Sequence, residues 1–164
     1  MLNKKGFTLL ETMIVVAIIG IISAIVIPNM IPWRENQRFN GAVRDVYSAF
    51  QKAKSTAIKE NSVVTVSFSG GTGNSGSYTV FFDADNDAAY DSSETRLYSG
   101  NMPAGITLSD VSFSTAGNAY LRFNSMGFAR HSDGTRESGS VTITGKNGRS
   151  SLVTVEFSGN IRIE

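Results

Sequence analysis

Five carboxylates crowd one short stretch of this chain: Asp83, Asp85, Asp87, Asp91 and Glu94. They occupy positions 1, 3, 5, 9 and 12 of a twelve-residue run. That is the side-chain spacing of an EF-hand calcium loop, in which hard oxygens converge on one cation and position 7 gives only a backbone carbonyl. Ala89 stands at position 7. Two features depart from the pattern. Ala88 replaces the glycine of position 6, and the flanking segments read as strands, not helices. The stretch therefore reads in two ways, as a Ca2+ loop or as a solvated acidic connection. A sixth carboxylate, Glu11, raises a different chemistry. It sits near the start of an apolar run that continues to Ile27. An isolated acid in a membrane helix costs roughly 2.5–3.5 kcal/mol on insertion scales, so it calls for a partner. Catalysis has little support. His131 is the only histidine, in the polar stretch Ala129-Arg130-His131-Ser132-Asp133-Gly134. Serines beside one histidine do not make a triad, which is defined by geometry. No enzyme activity is expected.

The element that carries Glu11 is long enough to cross a bilayer. Phe7 to Ile27 is 21 residues, which as a helix covers about 30 Å, the hydrocarbon thickness. From Met13 to Ile27 there is no charge and only Ser23 is polar. A secretory signal peptide has a shorter apolar core and a small-residue cleavage site. Here the run ends in Ile25-Val26-Ile27-Pro28. Lys4 and Lys5 assign the N-terminus to the cytoplasm, an asymmetry that Arg34 and Arg38 weaken. Gly20 and Ala24 have the small-xxx-small spacing of close helix contacts, which is also ordinary membrane-helix composition. Trp33 suits an interfacial anchor.

Beyond Pro28 and Pro32, which should kink or interrupt the helix, the chain becomes amphipathic. Phe39, Val43, Val46, Tyr47, Phe50, Ala53, Ala57 and Ile58 recur at three- and four-residue steps, one apolar helix face. Past Asn61 the period changes to two. Ser62–Ser69, Ser77–Phe82, Arg96–Ser99, Ile106–Leu108, Tyr120–Asn124, Ser140–Thr144, Leu152–Phe157 and Asn160–Ile163 read as short strands. Gly, Asn and Ser between them indicate an antiparallel sheet or sandwich. Asn147-Gly148 signals a type I′ hairpin, and Ser69 to Gly76 reads as a mobile Gly/Ser-rich loop. About 130 residues follow the apolar segment, enough for one domain with a core. Zero cysteines exclude disulfides and thiolate metal sites, and 15 basic against 14 acidic residues give no general basic footprint.

Gly6-Phe7-Thr8-Leu9-Leu10-Glu11, with its short basic leader and Pro28, resembles the processing and methylation motif of type IV prepilins and pseudopilins. The resemblance implies that a prepilin peptidase cuts between Gly6 and Phe7 and methylates the new amine of Phe7. It implies that Glu11 pairs with the N-terminal amine of a neighbouring subunit. Physically, a buried charge is tolerable when paired, so such a pair can set register between subunits that lateral sliding would leave free.

The head resembles the GspH/FimT-type minor subunits. The residues are Phe81-Phe82-Asp83 and the acidic loop to Glu94, Met102-Pro103-Ala104-Gly105-Ile106, Leu121-Arg122-Phe123-Asn124 with Gly127, and Gly159-Asn160-Ile161-Arg162-Ile163. That branch implies a minor pilin that primes or caps a type IV pilus, or alternatively a minor pseudopilin of type II secretion. Its partners would be other pilin or pseudopilin subunits, the prepilin peptidase, an inner-membrane assembly platform and membrane lipid. It would lie in the bacterial inner membrane as a single-pass protein with its head in the periplasm, or at a filament tip. Some relatives bind DNA through a Gly-Arg-x-Arg motif. Here Gly159 and Arg162 match, Asn160 does not, and Lys146 and Arg149 could add phosphate contacts.

The expected organisation is a leader (1–6), a transmembrane part of a spine helix (7–31), its amphipathic part (32–60) and a β head (61–164). The fold class is α+β, a long N-terminal spine helix packed on an antiparallel sheet or sandwich.

Overall fold

The computed structural model describes residues 6–70, 76–113 and 119–164. Lys4 and Lys5 of the leader and residues 71–75 of the Gly/Ser-rich connection lie outside the described residues. One helix, α1, runs from Leu9 to Glu60. It passes through Pro28 and Pro32 without the interruption expected there. Each proline removes one backbone donor, and the ladder on either side is long enough to carry the helix past both.

The chain divides into two compact units, one ending at Gln37 and the other Arg38–Glu164. In the first, Leu9–Ile27 has a mean hydropathy of 2.7 and none of it is buried. By length and composition it can cross a membrane. In the second, α1 buries Phe39, Val43, Val46, Phe50, Ala53 and Ala57, the stripe expected from the sequence spacing. Ile58, assigned to the same face, is instead half exposed. It lies one step past Ala57 around the helix, at the edge of the stripe.

The strands are β1 (Val64–Ser69), β2 (Ser77–Phe82), β3 (Arg96–Asn101), β4 (Ile106–Phe113), β5 (Tyr120–Phe123), β6 (Ala129–Arg130), β7 (Gly139–Gly145), β8 (Ser150–Val155) and β9 (Ile161–Ile163). They form two antiparallel sheets, ordered β3-β2-β1-β5-β6 and β4-β7-β8-β9. Both sheets and α1 contribute to one apolar cluster, with Phe50 against Phe68 and Phe123 at ring separations of 5.7 and 6.4 Å. Val64, Thr65 and Val66 are buried in succession, so β1 is covered on both faces and simple alternation fails there.

Four turns share one geometry: 124–128, 131–135, 145–149 and 156–160. In each, the first residue accepts from the N–H three residues on and donates to the carbonyl four residues on. The fourth residue is a glycine at positive φ: Gly127, Gly134, Gly148 or Gly159. This is a type I turn closed by a glycine bulge. The hairpin at Asn147-Gly148 is present, but only Gly148 is left-handed. The expected type I′ turn, which needs two such residues, is therefore corrected. Gly159 also meets a close neighbour. A Cβ there would lie 2.0 Å from the Gly127 carbonyl oxygen, so two of these turns abut.

Candidate functional site

Two carboxylate sites emerge, one in each unit. In the first unit, Gly6 and Phe7 precede α1, and Thr8 caps it. The Glu11 N–H donates to Thr8 Oγ1 at 3.2 Å, and the Thr8 N–H donates back to Glu11 Oε2 at 3.5 Å. This reciprocal capping box satisfies two of the free donors at a helix start. The positive end of the helix dipole favours the carboxylate further. The sequence Thr8-Leu9-Leu10-Glu11 carries this signal, which the family resemblance overshadowed. Among the described residues, no cationic side chain forms an ion pair with Glu11.

In the second unit, the acidic stretch is the β2–β3 connection. Asp83 follows the last residue of β2 and is buried. Its Oδ2 lies 2.6 Å from Arg122 Nη2 and accepts from the Thr65 hydroxyl at 2.7 Å. Arg122 on β5 pairs with Thr65 on β1 in register, so the sheet itself delivers both partners. Arg122 Nη1 also reaches Asn86 Oδ1 at 3.5 Å. A charge so enclosed is held only because its partner is enclosed with it. The sequence analysis missed Thr65 and Arg122 as site residues. An arginine between the apolar strand residues Leu121 and Phe123 was the available signal. Glu137, also buried, had no comparable signal.

The five candidate ligands do not act alike. Carboxylate oxygens of Asp83, Asp85 and Asp87 lie within 4.8 Å of one another. Asp91 and Glu94 are outside that group. Glu94 is buried, and its two oxygens accept the N–H groups of Ala84 at 3.1 Å and Asp91 at 3.4 Å. It braces the two ends of the loop. Burial pushes its carboxyl above the usual range, against the backbone donors that lower it. Asp91 is held below that range by the Ser93 hydroxyl and N–H. Asn86 and Ala88 adopt positive φ, 65° and 64°. Ala88 thus takes the left-handed conformation for which position 6 calls for glycine. Tyr90 packs its ring on Phe81 at 5.5 Å and closes the loop against the sheet.

The basic residues considered for nucleic acid are not brought together. Lys146 and Arg149 lie at the β7–β8 turn, while Arg162 on β9 pairs with Thr154 near the other end of β8. That separation is about 16 Å along the strand. Arg162 is also paired with Glu156 at 2.7 Å, and the Arg149 guanidinium stacks over Phe39. His131 sits beside Tyr120 and Asp133, with Nδ1 3.2 Å from the Asp133 carboxylate. It belongs to the 131–135 turn, where the Ser132 hydroxyl also lies 3.3 Å from its Nδ1.

Comparison with known proteins agrees with this architecture. Residues 1–27 match the prokaryotic N-terminal methylation motif, and residues 42–159 match the type II transport protein GspH family. The type IV wide pilus major component PilA4 of Thermus thermophilus is 34% identical over 138 residues, covering 82% of this chain and 79% of that protein. A fimbrial protein of Pseudomonas aeruginosa is 45% identical over 64 residues, 39% of this chain and 41% of its own length. The match to that pilin thus spans about two fifths of its length. Among solved structures, the type IV minor pilin FimU of Pseudomonas aeruginosa superposes with a TM-score of 0.56 at 16% identity, over 81% of this chain and 92% of its own. The minor pseudopilin EpsH of Vibrio cholerae gives 0.51 at 14%, over 76% and 94%. At those identities the likeness is one of fold.

Proposed function

Because this chain belongs to the GspH family of type IV pilin and pseudopilin subunits, we propose that it is a minor pilin that primes or caps a type IV pilus. The apolar segment anchors it in the inner membrane, with the head in the periplasm, until it joins the filament. A prepilin peptidase cuts between Gly6 and Phe7 and methylates the Phe7 amine. The assembly platform then inserts the subunit beside other pilins. The observation that carries this reading is Glu11. It is a carboxylate in a membrane-length apolar segment, and among the described residues its side chain accepts one hydrogen bond, from the Thr8 N–H of its own first helical turn. That bond orients the group but does not neutralise it. A neighbouring subunit's cationic Phe7 amine would do so in a medium where unpaired charge is costly.

A minor pseudopilin of type II secretion is the second reading. The GspH match and the fold of EpsH favour it, as does a type II secretion core protein G of Vibrio cholerae, 40% identical over 63 residues. The test is mild cross-linking in the protein's own cells, purification, and mass spectrometry of the captured subunits. Recovery with a major pilin and pilus-type minor pilins supports the pilus reading. Recovery with secretion pseudopilins instead replaces it with the second.

A further inference from the structure

We propose that the cleft between α1 and the β8–β9 edge is a binding site for a small phosphate ester that carries a primary amine, of the phosphoethanolamine type. The cleft lies wholly within the second unit and has a volume of about 490 Å³, in the range of small-molecule sites. Its two cations come from distant parts of the chain. Arg44 stands on α1 one turn after Asn40, so the two share a helix face. Arg149 closes the β7–β8 turn, and its guanidinium stacks over the Phe39 ring, 5.3 Å from the centroid. Among the described residues, no carboxylate forms an ion pair with Arg44. Two guanidiniums beside an amide donor suit the oxygens of a phosphate, which a planar fork of donors binds in pairs.

The β9 side of the cleft has the opposite charge. Glu164 follows β9 and lines the same space. Its backbone is fixed by a reciprocal pair of bonds with Leu152: its N–H donates at 2.8 Å and its carbonyl accepts at 2.9 Å. The Ser151 hydroxyl donates to that carbonyl as well, at 2.9 Å, which leaves the hydroxyl oxygen free to accept. A carboxylate and a hydroxyl acceptor suit an ammonium group and work against a bare phosphate. Two guanidiniums against one carboxylate leave a formal charge of +1. A phosphate monoester with one ammonium carries about −0.5 to −1. Val43 and Ile163 complete the lining with apolar surface, which suits the carbon linker of such a molecule. This inference stands apart from the filament reading, since the cleft belongs to the head alone.

Calorimetry on the full-length protein in dodecyl maltoside micelles, titrated with O-phosphoethanolamine and separately with inorganic phosphate, tests it. One site per chain with a Kd of roughly 10⁻⁴–10⁻³ M is expected for so small a ligand, with inorganic phosphate weaker by about fivefold or more. Arg44→Gln should weaken phosphoethanolamine by about tenfold. Glu164→Gln should weaken it by about threefold and narrow the gap between the two ligands. Both side chains are exposed, so these changes leave the fold intact. Repeating the titration in nanodiscs with and without phosphatidylethanolamine identifies the source. A weaker apparent affinity in the discs that contain it supports the site with a lipid head group as ligand, and equal affinity supports the site with a soluble ester. No saturable heat up to about 10 mM, unchanged affinity in Arg44→Gln, or inorganic phosphate bound as tightly as phosphoethanolamine would each overturn the assignment.

Discussion

Asp83 and Glu11 are both carboxylates in apolar company, and the chain treats them in opposite ways. Asp83 is fully enclosed in the head and meets Arg122 at 2.6 Å and Thr65 at 2.7 Å. Its charge is compensated within one chain. Glu11 lies in the apolar segment and, among the described residues, its hydrogen bonds go to Thr8 of its own first turn. On the proposed function, its compensation comes from a neighbouring subunit. The head thus holds its buried carboxylate with its own residues, whereas the proposed function has the N-terminal segment completed by assembly. An apolar surface such as Leu9–Ile27, none of it buried, tells the same story without electrostatics.

The sharpest way to break this contrast is to remove Glu11. Glu11→Ala should insert in the membrane and be processed, yet its share in sheared filaments, read by immunoblot, should fall by about tenfold or more. Removing one partner of a buried ion pair leaves the other charge stranded, which is strongly unfavourable. Normal incorporation would show that the outside partner is not needed. The matching change in the head is Arg122→Met, which strands a buried carboxylate. Urea unfolding should show a loss of about 3–5 kcal/mol, and the double variant Asp83→Leu with Arg122→Met should recover most of it. If the single variant is as stable as the parent, the pair is not what holds Asp83.

Smaller effects test the scaffold. Gly159 and Gly134 occupy the same place in the same turn type, at φ 75° and 83°. Alanine at Gly134 meets open space and should cost only the left-handed backbone penalty, about 1–2 kcal/mol. Alanine at Gly159 also drives a methyl into the Gly127 carbonyl, and should cost about 1 kcal/mol or more beyond that. Equal melting temperatures for the two variants would contradict the abutting turns.

The smallest effect is a pH dependence. The Thr135 hydroxyl and N–H hold the Asp133 carboxyl below its usual range. The group therefore contributes stability above the ordinary carboxylate value, and that stability is lost as pH falls through the lowered one. Asp133→Asn should flatten the melting-temperature profile below about pH 4. An unchanged profile would remove this turn from the acid response.

Much of the fold was legible because periodicity is local. The α1 stripe from Phe39 to Ala57 and the strand Ser77–Phe82 are written in spacing alone. Other features were not. β4 runs to Phe113, past the expected Leu108, because pairing with β7 carries it through the polar residues Ser109 and Asp110. β6 has only two residues, too few to show a period, and exists through its pairing with β5. The acidic residues of the β2–β3 connection were visible as a spacing, but their inequality was not. Asp83 differs from Asp85 because β1 and β5 bury it, and Glu94 because it closes the loop on backbone N–H groups.

By itself, then, the sequence determined the membrane-length segment, the carboxylate within it, the helix face and the β character of the head. These follow from composition and short-range spacing, which need no knowledge of distant residues. Only the tertiary structure decided that Arg122 and Thr65 would meet Asp83, that three of five acids would converge, and that Gly127 and Gly159 would touch. Each of those joins residues from different strands or turns, and their meeting depends on sheet order and register, which no local pattern encodes.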